Sequence, residues 1–227
     1  MCGRIIQYRT PEEYAASLGL DYSEGDLPKI PVHFNGAPGH DFLVIRRDPR
    51  IEHPLLGALQ WGLIPSWADD PKIAWQLINA RAETAVTTDV FRAAYRYRRC
   101  LIPVDGFYEW KKLGPMGKQP YAIGMEDRQP FTLAGLWENW KRPNGEWVRT
   151  FSLLTIQSNK VLADLHDRMP LIVDAKDRDR WMSEEEHPGD LLRPSPVEGM
   201  TRWLVSTLVN NSKNNSRELL EPLASVG

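Results

Sequence analysis

Eighteen prolines are spread along 227 residues. A proline lacks the amide N–H and fixes φ, so it breaks helix interiors and is confined in sheets to edges and ends. A chain punctuated this often is expected to form many short strands separated by ordered loops. The apolar runs agree, with strand-like patterning over 42–46, 55–63, 101–104, 107–111, 121–125, 131–137, 148–156 and 203–208. Helical patterning is confined to short windows over 88–96, 159–165, 174–182 and 188–192. One further helix is marked by its caps: Thr10 precedes Pro11, Glu13 completes a capping box, and Gly19 provides a stop. Strands in runs, without a regular alternating helix, predict an α+β fold. The expectation is a single domain over 1–227, built on a curved, mostly antiparallel, barrel-like β-sheet with peripheral helices.

Composition narrows the chemistry. The formal net charge of −2 is not that of a polycation, so any nucleic-acid binding must come from a local patch. Arginines cluster at Arg46, Arg47 and Arg50 and at Arg92, Arg96, Arg98 and Arg99, where a solvated helix face or strand edge is the plainer reading. No run approaches the 18 or so apolar residues of a membrane span, and no signal pattern opens the chain, so a cytosolic or nuclear protein without a membrane partner is expected. Cys2 and Cys100 make neither a disulfide framework nor a CxxC knuckle, which argues for a reducing compartment and against a structural metal.

Position makes Cys2 unusual. Removal of Met1 would leave an α-amine and a thiol on adjacent carbons. An amine with a reference pKa of about 8 can add to an aldehyde, and a thiol of pKa about 8.5 can then close on the same carbon to give a thiazolidine. A free cysteine is nevertheless more often simply buried.

Three internal stretches carry polar groups where a core pattern would not want them. If the backbone over 79–83 is extended, Asn79, Arg81 and Glu83 share one face as a polar wall; the alternative is an exposed edge or an internal Arg81–Glu83 ion pair. Glu109 lies between Tyr108 and Trp110 in a strand fit for burial, where apolar surroundings would raise its pKa toward the range of a proton donor or acceptor, unless it faces water. His166, bracketed by Leu165 and Asp167 at an element boundary, is an acid/base candidate; His33, His40, His53 and His187 lie in Pro- or Gly-flanked loops.

Taken in order, Met1-Cys2-Gly3-Arg4, Phe34-Asn35-Gly36-Ala37-Pro38, Trp61-Gly62-Leu63-Ile64-Pro65, Asn79-Ala80-Arg81-Ala82-Glu83-Thr84, Gly106-Phe107-Tyr108-Glu109-Trp110 and His166-Asp167-Arg168-Met169-Pro170 resemble the SRAP family of abasic-site processing proteins. The match runs from residue 2 to about 210. The resemblance implies loss of Met1 and capture of the ring-opened aldehyde of an abasic site in single-stranded DNA as a thiazolidine crosslink, with autoproteolytic processing and lyase activity as accompanying possibilities. It further implies Cys2 as nucleophile, Asn79 orienting the terminal residue, Glu109 handling protons at the amine and sugar, and His166 as the acid/base that opens the sugar. Arg4, Asn35, Arg81 and Arg168 would contact phosphates or the abasic nucleotide, and Trp67 would support the distorted strand. No cofactor and no metal are implied, and a monomer is expected, cytoplasmic and nucleoid-associated or, in a nucleated cell, nuclear. Asp69 and Asp70 depart from what a DNA channel wants, since they would repel phosphate unless they point away. The polar tail Val209 to Asn215 either lines the site or forms a loop. Two other classes stay open: an N-terminal-cysteine thiol peptidase or amidohydrolase, and a noncatalytic single-strand-binding module.

Overall fold

A computed structural model describes residues 2–20, 27–47, 54–194 and 198–223. Met1, Arg50 and His53 lie outside these residues. Thirteen strands and four short α-helices are found among them: β1 (Ile5–Gln7), α1 (Pro11–Leu18), β2 (His33–Gly36), β3 (Asp41–Arg46), β4 (Leu55–Trp61), β5 (Asn79–Arg81), α2 (Ala82–Ala85), α3 (Asp89–Tyr97), β6 (Arg99–Val104), β7 (Gly106–Lys112), β8 (Lys118–Met125), β9 (Phe131–Lys141), β10 (Trp147–Gln157), β11 (Arg168–Pro170), β12 (Ile172–Val173), α4 (Arg178–Trp181) and β13 (Met200–Leu204).

Five of the strands close on themselves. The order β10-β4-β3-β6-β9 is completed by an antiparallel β9–β10 pairing, forming a barrel, while β5, β11 and β12 attach to its rim. Every pairing is antiparallel except those of β10 with β4 and with β5. The remaining strands form a second sheet in the order β13-β8-β7-β1-β2. The fold is therefore α+β with a curved, mostly antiparallel framework, as the spacing of strands and prolines predicts.

Large side chains fill the barrel-centred core. Phe42 meets Trp61 and Phe151 edge-on, at ring separations of 5.8 and 6.0 Å, and Trp61 stacks with Phe151 at 6.3 Å. Burying one such side chain contributes on the order of 1.5–3 kcal/mol. Ile5, Phe107 and Ile123 from the second sheet join the same buried cluster, whereas Ile6, Tyr108 and Ala122 pack with Val205 and Val209 on the opposite face of that sheet. The central strands β1 and β7 are thus covered on both sides.

Local signals are realised where they are self-contained. Thr10 accepts from Glu13 N, Glu13 returns a bond to Thr10 N, and Gly19 closes α1 at φ 66°. Gly106 is required because β7 passes very close to β8: a Cβ there would lie 2.4 Å from the Ile123 carbonyl oxygen. The expected helix over 159–165 is instead a series of turns, opened by the Asn159 side chain, which accepts from the amides of Val161 and Leu162. The window 174–182 divides into a 3₁₀ turn, Ala175–Asp177, and α4, and the one over 188–192 reduces to a 3₁₀ turn, Gly189–Leu191. The strand expected over 203–208 ends at Leu204, and Thr207–Asn210 forms a 3₁₀ turn capped by Ser206.

Of the arginine cluster around α3, Arg92 and Arg96 lie on the solvated helix face, while Arg98 is half-buried and Arg99 turns inward. Arg99 is buried and donates to the carbonyls of Tyr95, Trp181, Ser183 and Glu185, tying β6 to the segment after α4. Arg98 pairs with Glu138 at 2.7 Å, and Arg96 pairs with Glu186.

Candidate functional site

Residues 2–4 lead directly into β1, which lies between β2 and β7. Ile5 pairs with Phe107, and Tyr108 N donates to the Arg4 carbonyl at 3.1 Å, so the terminus runs alongside β7. On its other side stands β5, held by parallel pairing of Asn79 with Leu153. The approach to β5 is fixed by the Trp61 indole N–H, which donates to the Ile78 carbonyl at 2.8 Å. This brings the Asn79 amide to the terminus, where Nδ2 donates to the Cys2 carbonyl at 2.8 Å.

Cys2 is fully buried, and its thiol faces the Arg4 carbonyl at 3.6 Å. Burial pushes the thiol pKa up to about 12; the negative charge of Glu109 adds to the rise, and the Arg4 guanidinium opposes it. At neutral pH the sulfur is therefore protonated. Arg4, half-buried, donates to the Gly3 carbonyl at 2.9 Å, and its own pKa is lowered, chiefly by burial.

Glu109 does not face water: it is 4% exposed, and Oε1 accepts from Trp110 N at 3.1 Å. Its strand has no solvent face at this level, since Phe107 and Tyr108 on alternate sides are both fully buried. Cys2, Asn79 and Glu109 are thus brought together from three distant parts of the chain.

The polar wall expected over 79–83 is broken. β5 stops at Arg81 and α2 starts at Ala82, so Glu83 leaves the face shared by Asn79 and Arg81. Nor do Arg81 and Glu83 form the alternative ion pair. Arg168 takes Glu83 in a bidentate grip at 2.6 and 2.8 Å and also donates to the Thr155 carbonyl. That pairing holds the Glu83 carboxyl below the usual range, while Arg81 is exposed beside it. His166 lies on the loop entering β11. Its Nδ1 is 3.0 Å from Arg168 N and 2.8 Å from an Asp167 oxygen. The first contact needs an unprotonated Nδ1 and the second a protonated one, so the two bonds exclude each other.

Asn35 is turned into the fold. It is 1% exposed, and Nδ2 donates to the carbonyls of Val209, Asn211 and Asn214. The amides of Phe34 and Asn35 donate in turn to Asn215 Oδ1. The polar tail is therefore a loop fastened to β2, and it also reaches β7, where the Trp110 indole N–H donates to Asn210 Oδ1 at 2.7 Å. Asn210 and Asn215, both within the polar tail that the sequence marks, are the side chains that fasten it.

Trp67 is 65% exposed. Of the two acidic residues that follow it, Asp70 is committed to capping the 3₁₀ turn Pro71–Gln76, accepting from Lys72 N at 2.9 Å. Among the described residues no group of three or more His, Cys, Asp or Glu side chains could hold a metal ion, and no helix is long and apolar enough to cross a membrane.

Residues 1–212 match the family model described as SOS response associated peptidase (SRAP). The chain belongs to the SRAP family. Over 227 residues it is 38% identical to the abasic site processing protein YoqW of Bacillus subtilis, spanning 97% of this chain and 99% of that one. It is 34% identical over 231 residues to the abasic site processing protein YedK of Escherichia coli, spanning 98% and 100%. Identity to the abasic site processing protein HMCES of Xenopus tropicalis is 32% over 261 residues, spanning 97% of this chain and 78% of that one. A crystal structure of a Bacteroides thetaiotaomicron protein shares the fold, with a TM-score of 0.85 at 23% identity, covering 98% of this chain and all of the other.

In this SRAP protein Cys2 is closed off from solvent. Clefts of about 600 and 570 Å³ open elsewhere, the first between Arg47, Arg96, Tyr97 and Met182, the second beside Gln60 and Trp147. The chemistry available around Cys2 is that of a protonated thiol, a buried carboxylate, and an amide that fixes the orientation of the terminal residue.

Proposed function

We propose that this SRAP protein captures abasic sites in single-stranded DNA as a thiazolidine on Cys2, after Met1 has been removed by self-cleavage or an aminopeptidase. The observation that carries the reading is the Asn79-to-Cys2 hydrogen bond beside buried Glu109, which fixes the orientation of the residue behind Met1. The names of YoqW, YedK and HMCES support it.

The chemistry has four steps. The abasic sugar opens to its aldehyde, with His166 or Glu109 as acid/base; such help is typically worth about a hundredfold to ten-thousandfold. The freed Cys2 amine adds to the aldehyde carbon, and a proton from the acid expels the oxygen as water, leaving an iminium. The Cys2 sulfur bonds to the same carbon while its proton passes to Glu109, and the C=N electron pair returns to nitrogen. The proton supplied for water loss is thereby recovered, and the net change is thiazolidine plus one water.

Because Cys2 has no exposed surface in the chain that begins with Met1, the reading requires that removal of Met1 uncover it. The order of events follows from the chemistry: the amine must first form the iminium, and the sulfur then closes the ring on that carbon. Phosphate contacts fall to Arg4 and Arg81, with Arg168 joining only by releasing Glu83, and Trp67 provides a stacking surface.

The test is incubation of the protein, its terminus established by intact mass, with a uracil-glycosylase-treated oligonucleotide, followed by a denaturing gel. A shifted band is expected from the chain lacking Met1, none from Cys2→Ala, and a borohydride-trappable imine from Cys2→Ser. Absence of a band with the processed chain rejects capture.

A further inference from the structure

A strip of surface away from Cys2 links two exposed tryptophans. Trp75, in the turn Pro71–Gln76, is 64% exposed, and its ring closes over Gly39, where a Cβ would come within 3.1 Å of the indole. The Gly39 carbonyl accepts from Gln60 Nε2 at 2.9 Å. Gln60 in turn lines the 570 Å³ cleft that also has Trp147 and Arg149 on its walls. Trp147 is 63% exposed, with the Lys141 ammonium 5.6 Å from its ring centre.

Neither indole is explained by packing, because two-thirds of each remains in water while its backbone is firmly held. Trp147 opens β10 and pairs with Lys141 across the β9–β10 ladder. The turn carrying Trp75 is capped by Asp70, and its Ala74 carbonyl closes against Gly62. The cleft is lined by two guanidiniums, Arg142 and Arg149, and two carboxylates, Asp41 and Glu146. Arg142 is taken up by Glu146, which Asn144 also contacts, whereas no carboxylate among the described residues pairs with Arg149, leaving that guanidinium available to a phosphate. Distance is also favourable: Trp75 precedes Asn79 by four residues, a separation of at most about 14 Å for an extended chain.

We propose that this strip is a track for the single-stranded DNA flanking the captured nucleotide, with a base stacked on Trp147 and a phosphate on Arg149. It rests on the DNA reading under Proposed function. Stacking on an exposed indole is tolerant of base identity, and a lone guanidinium suits a phosphate oxygen, so the track extends the footprint without adding sequence preference.

The test is fluorescence anisotropy with intact oligothymidylates of about 5 and about 15 nucleotides, a range that brackets ordinary single-strand site sizes. The wild-type protein is expected to bind the longer strand more tightly. Trp147→Ala and Arg149→Gln should each lose on the order of tenfold in affinity for it, so that the advantage of length collapses, and Arg149→Gln should also flatten the salt dependence. Both side chains are exposed, and thermal unfolding checks that each variant is folded. Unchanged affinity of both folded variants for the longer strand overturns the track. Crosslinking of the wild-type chain to a short abasic strand is scored separately: a missing adduct rejects capture, and the anisotropy data still decide the track.

Discussion

Asn79 Nδ2 donates a 2.8 Å hydrogen bond to the carbonyl oxygen of Cys2, joining a strand on the barrel rim to the first residues of the neighbouring sheet. The bond is made to the backbone of Cys2, so it fixes where the amine and thiol point without consuming either. Replacing Asn79 by Ala should slow crosslinking about tenfold or more, because misplacement of a reacting group is costly, while lowering stability by only about 1 kcal/mol. A gel time course read beside a denaturation curve separates the two effects. Asn79→Asp, which places an acceptor against the carbonyl, should be slower still.

Alkaline stability follows from the thiol. In the unfolded chain Cys2 loses its proton near its ordinary value of 9.0, whereas in the folded protein it keeps the proton until about 12. Between those limits the unfolded state binds fewer protons, so stability is complete below pH 9 and falls as pH rises through the window. Cys100, also fully buried, shifts in the same direction for the same reason. Chemical denaturation midpoints should therefore decline above pH 9, and Cys2→Ser should flatten part of that decline.

Glu83 competes for the guanidinium that the family resemblance assigns to DNA. The bidentate Arg168–Glu83 pair leaves Arg168 partly neutralised. Glu83→Gln should raise affinity for single-stranded DNA by up to about fivefold, the scale of a partly exposed ion pair, and steepen the salt dependence by about 0.7 in log–log slope. Anisotropy titrations at several salt concentrations measure both.

Asn35 should behave as a fastener of the tail. Asn35→Ala removes the two N–H donors shared among the carbonyls of Val209, Asn211 and Asn214 and should cost about 1–3 kcal/mol, seen as a melting temperature lower by several degrees. Loss of DNA affinity without loss of stability would return Asn35 to the residues that touch the strand.

The sequence by itself determined the features whose physics is local. Thr10, Pro11, Glu13 and Gly19 specify α1 because a capping box and a left-handed stop need only neighbours in the chain. The repeated apolar runs separated by prolines determined a strand-rich framework, and the place of Cys2 behind Met1 determined which residue can carry an aminothiol. Only the tertiary structure decided the environment of each polar residue. Alternation along β7 could not say whether Glu109 meets water, because that depends on β1, β8 and two separate apolar clusters covering both faces of the sheet. The end of β5 at Arg81, the pairing of Glu83 with Arg168 and the commitment of Asn35 to the tail each join residues more than 80 positions apart, or turn on where a neighbouring strand ceases to pair. Such contacts leave no periodic trace in the residues that make them. They are selected when the whole chain finds the arrangement that satisfies its buried polar groups.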